Sequence, residues 1–379
     1  MTARPRLPAL LCLLSSTLAN AQTDLLDLPI GDPARSEKEV HVQLDTIVAT
    51  SSAQIVSPQA LATQIGDSRL VLVGEQHTDA EYHATQLRVL ELLHAAGVAL
   101  TVGLEMIPAD RQPALDAWIS GELDEQSFLE TSDWYRVWGY NWGYYREIFL
   151  FARRYVIPMF ALRAMDDHPA DPDSPAVSAT DEHRTLMAAF FEADSPVHGG
   201  LSPEQLDTLV TAQSERDAAM ARHALDALQA HPDRTMVLLA GTGHVLYELG
   251  IVAQLPEAER ALAATIVPVP VEDESSSVRA SVADFVWGIP EAAYPRYPEL
   301  GVITMQVDDG LQIIHVEAES PAGSAGLAVG DVLTHFADTE LEAKRDLSAR
   351  LASVDWGDEV SVELRRNDER EELTIAFRR

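Results

Sequence analysis

Short apolar runs, each stopped by glycine or a charged residue, alternate in this chain with longer stretches where apolar residues recur every three or four positions. Three of the short runs share one ending. Leu70-Val71-Leu72-Val73 stops at Gly74-Glu75-Gln76-His77, and Leu100-Thr101-Val102-Gly103-Leu104 stops at Glu105-Met106. Met236-Val237-Leu238-Leu239-Ala240 stops at Gly241-Thr242-Gly243-His244. Runs of this length and boundary predict strands buried on both faces, as in a parallel sheet. Open α/β sheets bind ligands at the carboxyl ends of their strands. The three ends are therefore expected to meet at one rim and to form a ligand or metal site.

The longer stretches supply the helices. Ser57-Pro58 opens a short one over Gln59 to Ile65, with Ser as N-cap and Pro in the first turn. Thr78 or Asp79 caps a helix to Ala96, with Leu87, Leu90 and Leu93 as its stripe and His83 turned inward. Gly97 ends it. Strand, helix and strand at this spacing imply a right-handed parallel crossover. Further helices are expected over Pro108 to Ile119, Asp124 to Leu129 and Glu147 to Tyr155, and a strand over Val156 to Leu162. Ala164 to Pro203 reads as an insertion or lid with one helix, Asp181 to Ala193; its histidines His168, His183 and His198 read as solvated. Ser202 caps a long helix to about Ala230. Ala264 to Val271 and Phe285 to Trp287 read as strands, with Glu272 to Ser277 a polar loop between them.

These elements define an α/β domain over 46–290, a mostly parallel sheet with flanking helices and a helical lid. Residues 22–45 read as a loosely packed arm. Trp134, Tyr135, Trp138, Tyr140, Trp142, Tyr144 and Tyr145 crowd into one segment of a chain that is only 6% aromatic. They form either a packed corner between helices or a wall for a flat apolar ligand.

A second unit spans 296–379. A strand through Val307, a turn at Asp308-Asp309-Gly310 and a return strand Leu311 to Val316 come first. Ser320-Pro321-Ala322 and Gly330-Asp331-Val332-Leu333 mark a short helix and a strand. A helix over Asp346 to Ala352 and strands Val360 to Arg365 and Leu373 to Arg378 complete a small barrel-like module.

Composition narrows the partners. The 379 residues are 46% hydrophobic, enough for a sizeable core, and 27 Lys+Arg against 60 Asp+Glu give a net charge of −33. A surface so acidic repels phosphate backbones, which argues against nucleic acid, and anionic lipid. Arg4 and Arg6, the apolar run Leu7 to Leu18 and Ala19-Asn20-Ala21 read as a signal peptide over 1–21. No stretch is long enough to span a bilayer. The expected location is periplasmic or secreted. The single cysteine, Cys12, falls inside the signal, so the mature chain would have no disulfide, thiolate ligand or cysteine nucleophile.

Glu75, His77, Glu105 and His244 form an oxygen and nitrogen set suited to a divalent metal, or to general-base work with water as nucleophile. A metal-dependent hydrolase or peptidase is one reading. Against it, the chain has no Gly-x-Ser-x-Gly and no His-Glu-x-x-His. The plainer alternative is that each residue caps a strand end.

Taken in order, five motifs resemble the ChaN-like haem-binding uptake family of the Tiki and erythromycin-esterase type of superfamily. They are Gly74-Glu75-x-His77 with His83 and Gln86; Gly103-Leu104-Glu105-Met106 with Gln112; the Trp138-Gly139 to Tyr145 cluster; Asp217-x-x-Met220-Ala221; and Ala240-Gly241-x-Gly243-His244. Asp284-Phe285-Val286-Trp287 fits the closing segment. The resemblance covers roughly Ile47 to Gly288. It implies an exported haem-binding protein in iron acquisition, with an axial ligand and an apolar slot for haem. Tyr145 and Tyr144 are the first candidates for the iron ligand. His77, His83 and His244 could serve instead or hold propionates. Arg163, which stands where relatives have Asn, is another propionate partner.

The second unit resembles a PDZ domain of the bacterial, protease-associated kind. The resemblance implies that Leu300-Gly301-Val302 binds a peptide carboxylate while the peptide adds as a strand. A homodimer would matter if haems are shared between subunits, and the sequence leaves this open. A third reading is a non-catalytic periplasmic scaffold recruiting partners through the PDZ module.

Overall fold

The computed structural model describes residues 25–164, 179–193, 202–272, 274–367 and 369–379. The signal-peptide segment with Cys12, and His168 and His198 of the insertion, lie outside the described residues. The chain divides into two compact units.

The larger unit holds strands β1 (Glu39–Gln43), β2 (Ile47–Ala49), β3 (Gln54–Val56), β4 (Leu70–Glu75), β5 (Leu100–Pro108), β6 (Met159–Arg163), β7 (Thr235–Gly241), β8 (Ala263–Val271), β9 (Ser275–Arg279) and β10 (Phe285–Pro290). Eight of them form one sheet in the order β3-β2-β10-β8-β4-β7-β5-β6. The run from β10 to β6 is parallel throughout. The short strands β2 and β3 extend it antiparallel. Every residue of β4, β5 and β7 is buried, which is why their sequences are apolar runs without alternation.

Three registers align the strand ends. Glu75 of β4 pairs with Gly241 of β7, and Leu104 of β5 pairs with Leu239 of β7. The pairing of β5 with β6 slips between Leu104 and Pro108, so Glu105 sits where the ladder is interrupted.

The helix Ala80–Ala95 follows β4. Asp79 is its N-cap and accepts the Glu81 amide, and Tyr82, His83, Gln86, Val89, Leu90 and Leu93 face inward. The expected stripe member Leu87 is only partly buried; the true inward face is shifted by one position and carries polar side chains. The long helix Pro203–Ala230 starts with a capping box between Ser202 and Gln205. Its buried stripe includes Gln213, Ser214 and Asp217 among alanines and Met220. Among the described residues, no helix is long and apolar enough to cross a membrane.

Residues 25–43 are not the loose arm that their polarity suggests. Leu25, Leu26 and Ile30 are buried in the core, and Val40 and Val42 alternate inward along β1. β1 pairs antiparallel with β9, which lies in the segment expected to be a polar loop. Both strands are short: β1 offers only the brief alternation Val40-His41-Val42, and β9 is mostly serine, so the local signal is weak.

The smaller unit comprises Trp134–Trp142 together with Tyr294–Arg379. Its strands are β11 (Val302–Val307), β12 (Gly310–Val316), β13 (Val332–Phe336), β14 (Thr339–Glu340), β15 (Glu359–Arg366) and β16 (Glu369–Ala376). They form an antiparallel sheet in the order β11-β12-β13-β15-β16, with β14 paired to β13. β11 is therefore an edge strand. Leu311, Ile313, Leu333, Phe336, Val362, Leu364 and their neighbours make its core. Buried Asp331 accepts two guanidinium bonds from Arg366, at 2.8 and 2.6 Å, and ties β15 to the turn before β13. The Trp134 ring meets Trp142 edge-on at 5.0 Å, and Trp134 Nε1 donates to the Tyr140 carbonyl at 2.8 Å. Within the aromatic segment these residues form a packed corner.

Candidate functional site

Two clusters of ionisable side chains lie at the carboxyl ends of β4, β5 and β7. The first is centred on Glu75, whose side chain has no exposure. Its Oε1 accepts from the Tyr145 hydroxyl at 2.7 Å and lies 2.8 Å from His77 Nδ1. Its Oε2 accepts from the Gln86 amide at 2.8 Å. Burial alone would raise the Glu75 pKa. The neighbouring His83, His77 and Tyr145 reverse that and hold it below the ordinary value. His83 packs beside this carboxylate. Its Nε2 donates to the His77 carbonyl at 3.2 Å, and burial lowers its pKa against the opposing pull of the Glu75 carboxylate. The Tyr145 and Tyr144 rings contact the His83 ring at 4.4 and 5.5 Å.

The second cluster is centred on His244. The strand β7 ends at Gly241, and the turn Thr242–His244 delivers the imidazole back over the sheet. Its Nδ1 lies 2.5 Å from Asp217 Oδ1, and its Nε2 lies 3.2 Å from Glu105 Oε1. Burial disfavours the charged ring, but the Glu105 and Asp217 carboxylates outweigh it and push the His244 pKa up to about 10. His244 is thus an imidazolium held between two carboxylates. Glu105 Oε2 also accepts the Gly241 amide at 2.7 Å. Against the upward push of burial, His244, His77 and that amide hold the Glu105 pKa well below the usual range.

Gly241 joins the clusters. A Cβ there would lie 3.1 Å from His77 Cε1 and 3.6 Å from Glu105 Oε2, so the His77 ring rests on the bare glycine between the two carboxylates. Thr242 Oγ1 donates to the Glu75 carbonyl at 2.9 Å and locks the ends of β4 and β7 together.

Of the residues singled out from sequence, Glu75, His77, His83 and Tyr145 converge in the first cluster, with Tyr144 stacked against it. Glu105 and His244 converge in the second. Arg163 closes β6, partly exposed. Tyr145 is fully buried and Tyr144 nearly so, whereas the His77 side chain is 26% exposed. The aromatic segment splits: Tyr144 and Tyr145 belong to the Glu75 cluster, and Trp134–Trp142 to the smaller unit.

Sequence reasoning placed Asp217 in a family motif without assigning it a role, and passed over Gln213 and Ser214. The available signal was polar side chains on the otherwise apolar stripe of a long helix. It also read His183 as solvated. His183 is buried at 3% exposure, close enough for Asp217 to favour its charged form, though burial leaves its pKa low. Among the described residues, neither its Nε2 nor Asp217 Oδ2 has a hydrogen-bond partner.

The divalent-metal reading of Glu75, His77, Glu105 and His244 is not supported. Among the described residues no three His, Cys, Asp or Glu side chains are arranged to hold a metal ion. The donors are engaged with one another: Glu75 binds Tyr145, His77 and Gln86, and Glu105 binds His244 and an amide.

The comparisons with known proteins agree with this architecture. A family model described as haem-binding uptake, Tiki superfamily, ChaN, matches residues 61–255. A PDZ-domain model matches residues 298–377. Among solved structures, one described as cofacial haem binding to ChaN of Campylobacter jejuni is similar over 64% of this chain and 95% of that one, at 18% identity and a TM-score of 0.52. That similarity shows the α/β fold. The HtrA-type protease AlgW with a decapeptide is similar over 21% of this chain and 28% of that one, at 23% identity and a TM-score of 0.20. The type III effector HopBA1 is similar over 62% of this chain and 94% of that one, at 14% identity and a TM-score of 0.40. Neither of these two carries weight here. No curated protein sequence matches the chain.

Proposed function

The chain belongs to the ChaN haem-binding uptake family of the Tiki superfamily and carries a PDZ domain behind it, and from that premise we propose that it is an exported protein that binds haem at the rim of β4, β5 and β7 and takes part in haem or iron uptake. One observation carries the placement. His77 is the partly exposed imidazole at a rim whose other ionisable groups are buried, and its Nδ1 is held by Glu75 at 2.8 Å. A carboxylate on Nδ1 fixes the ring's orientation, as it does for metal-ligating histidines in general. The donor chemistry at the rim therefore fits haem. Haem, when bound, supplies an iron with an open axial position.

His77 would provide the axial nitrogen and Glu75 would orient it. Tyr144 and Tyr145 pack behind the ring, the Tyr145 hydroxyl being given to Glu75 in this structure. Arg163 would pair with a propionate. The buried imidazolium of His244 offsets part of the Glu75, Glu105 and Asp217 charge, which lessens the repulsion that an anionic porphyrin would meet here.

Haem titration of the purified mature protein tests this. A Soret band should grow and saturate at micromolar protein. It should weaken strongly in His77→Ala, and less in Tyr144→Phe or Tyr145→Phe. The opposite order would move the iron ligand to a tyrosine, and absence of any band would end the haem reading.

The PDZ domain is proposed to bind peptide C-termini beside Leu300-Gly301-Val302. Gly301 has φ +76, and β11 lies at the sheet edge with one neighbour, open to an added strand. Peptides with a free carboxylate should bind and their amidated forms should not. The proposed export rests on the signal-like pattern of residues 1–21, and mass determination of the mature N-terminus tests it, with Gln22 expected.

A further inference from the structure

The loop after His244 is held in a conformation that its own residues resist. Tyr247 and Glu248 both have φ +58, a left-handed region that side chains of this kind rarely enter. Just beyond them, the Gly250 backbone closes onto the start of the loop, where a Cβ would lie 2.3 Å from the His244 carbonyl oxygen. The corner therefore folds back directly on the residue that links Asp217 and Glu105. Strain of this sort persists only where the surroundings over-determine it.

Those surroundings come from the beginning of the chain. The Tyr247 hydroxyl donates to the Leu25 carbonyl at 2.8 Å and accepts from the Leu28 amide at 2.9 Å. The Tyr247 amide donates to the Val282 carbonyl at 2.8 Å. Arg35 reaches Glu248 at 3.4 Å, and the same guanidinium is held by Asp32 at 2.9 Å and by Asp284 and Thr50 at 3.4 and 3.3 Å. Leu25, Leu26 and Ile30 anchor the segment in the core. Both left-handed residues thus have their side chains tied to residues 25–35, or to a cation that this segment carries.

We propose that Tyr247 and Arg35 are positioning residues for the rim. They hold the Tyr247–Glu248 corner in its left-handed form and so fix His244 against Asp217 and Glu105, and through Glu105 the Gly241 seat of His77. The N-terminal segment is then a strap that completes the site, and the functional domain includes residues 25–35, well upstream of residue 61. The proposal rests on the haem reading only for its affinity readout.

Full-length Tyr247→Phe and Arg35→Ala test it by amide hydrogen exchange and haem titration. Exchange at Thr242 to Val245 should accelerate on the order of tenfold, while the β4 amides Val71 to Val73 keep their protection. Haem affinity should fall by a similar factor. Glu248→Gln cuts the charge pair with Arg35 and should show the same local pattern of loss, adding little to Arg35→Ala in the double variant, which two independent packing defects would not. If Tyr247→Phe loses protection throughout the domain, Arg35→Lys, which keeps the charge without the planar fork, carries the same comparison. Unchanged exchange at Thr242 to Val245 in the folded variants, or additive losses from Arg35→Ala and Glu248→Gln, overturns the proposal. A wild-type protein that binds no haem defeats the haem reading and leaves the exchange comparison intact.

Discussion

Asp217 Oδ1 lies 2.5 Å from His244 Nδ1, in a place where the aspartate has no exposure at all. The carboxylate comes from the long helix Pro203–Ala230 and the imidazole from the turn after β7, so the contact fastens helix to sheet at the rim. Burying either charge alone would be costly. Buried together, with Glu105 on the other ring nitrogen, each offsets part of the other's desolvation; His244 is driven to its charged form, whereas burial still raises the Asp217 pKa.

Asp217→Asn removes the anion and keeps the shape. The His244 pKa should fall, leaving Glu105 as the one carboxylate against the ring. A buried pair broken on one side typically costs about 3 kcal/mol or more. Urea unfolding of the variant should show a lower midpoint with an unchanged slope, and a midpoint equal to wild type would mean that the pair contributes nothing net.

Stability should fall on the alkaline side. The His244 pKa is raised in the folded state from 6.5 to about 10. A cationic group with a raised folded pKa binds its proton more tightly when folded, so its contribution is complete below about pH 6.5 and fades as pH climbs from there through 10. The urea midpoint should decline across that window, and His244→Gln, already destabilised, should lose this part of the slope. An equal decline in both proteins would assign it to other groups.

Gly241→Ala should damage the site more than the fold. The new methyl would press on His77 Cε1 from 3.1 Å and sit 3.6 Å from Glu105 Oε2, while the Gly241 amide keeps its bond to Glu105. The ring must swing away, and haem affinity should drop about tenfold, near 1.4 kcal/mol. Optical titration beside a thermal melt separates this from unfolding, since the melting temperature should change little.

In the PDZ domain, Arg366→Lys should be far from conservative. Arg366 grips buried Asp331 with two bonds, and its third nitrogen reaches Glu371 at 3.1 Å. A lysine offers one point charge for a planar fork. A loss of about 2 kcal/mol is expected in unfolding of this domain. Asp331→Asn should cost a similar amount, and the double variant less than the sum.

The strands that carry the site were legible because burial on both faces leaves an unbroken apolar run, and glycine with a charged residue ends it visibly. That is why β4, β5 and β7 and the residues Glu75, His77, Glu105 and His244 could be read from sequence. The cap at Ser202 and the helix starting beyond Asp79 were legible for a similarly local reason. β1, β9 and the buried segment from Leu25 were not. Their stability comes from partners more than two hundred residues away, such as Val40 opposite Val278, and local pattern holds no trace of that pairing.

The tertiary structure also decided what the site residues do. Sequence put Tyr145 and Tyr144 first as iron ligands, with His77, His83 and His244 as alternatives. Packing buries Tyr145 against Glu75, encloses His83 and commits His244 to two carboxylates, and it leaves His77 partly exposed. The chain order fixed which chemical groups arrive at the rim. Their charges, and which of them can reach a ligand, depend on desolvation and on neighbours brought together by folding, and those exist only once the sheet has formed.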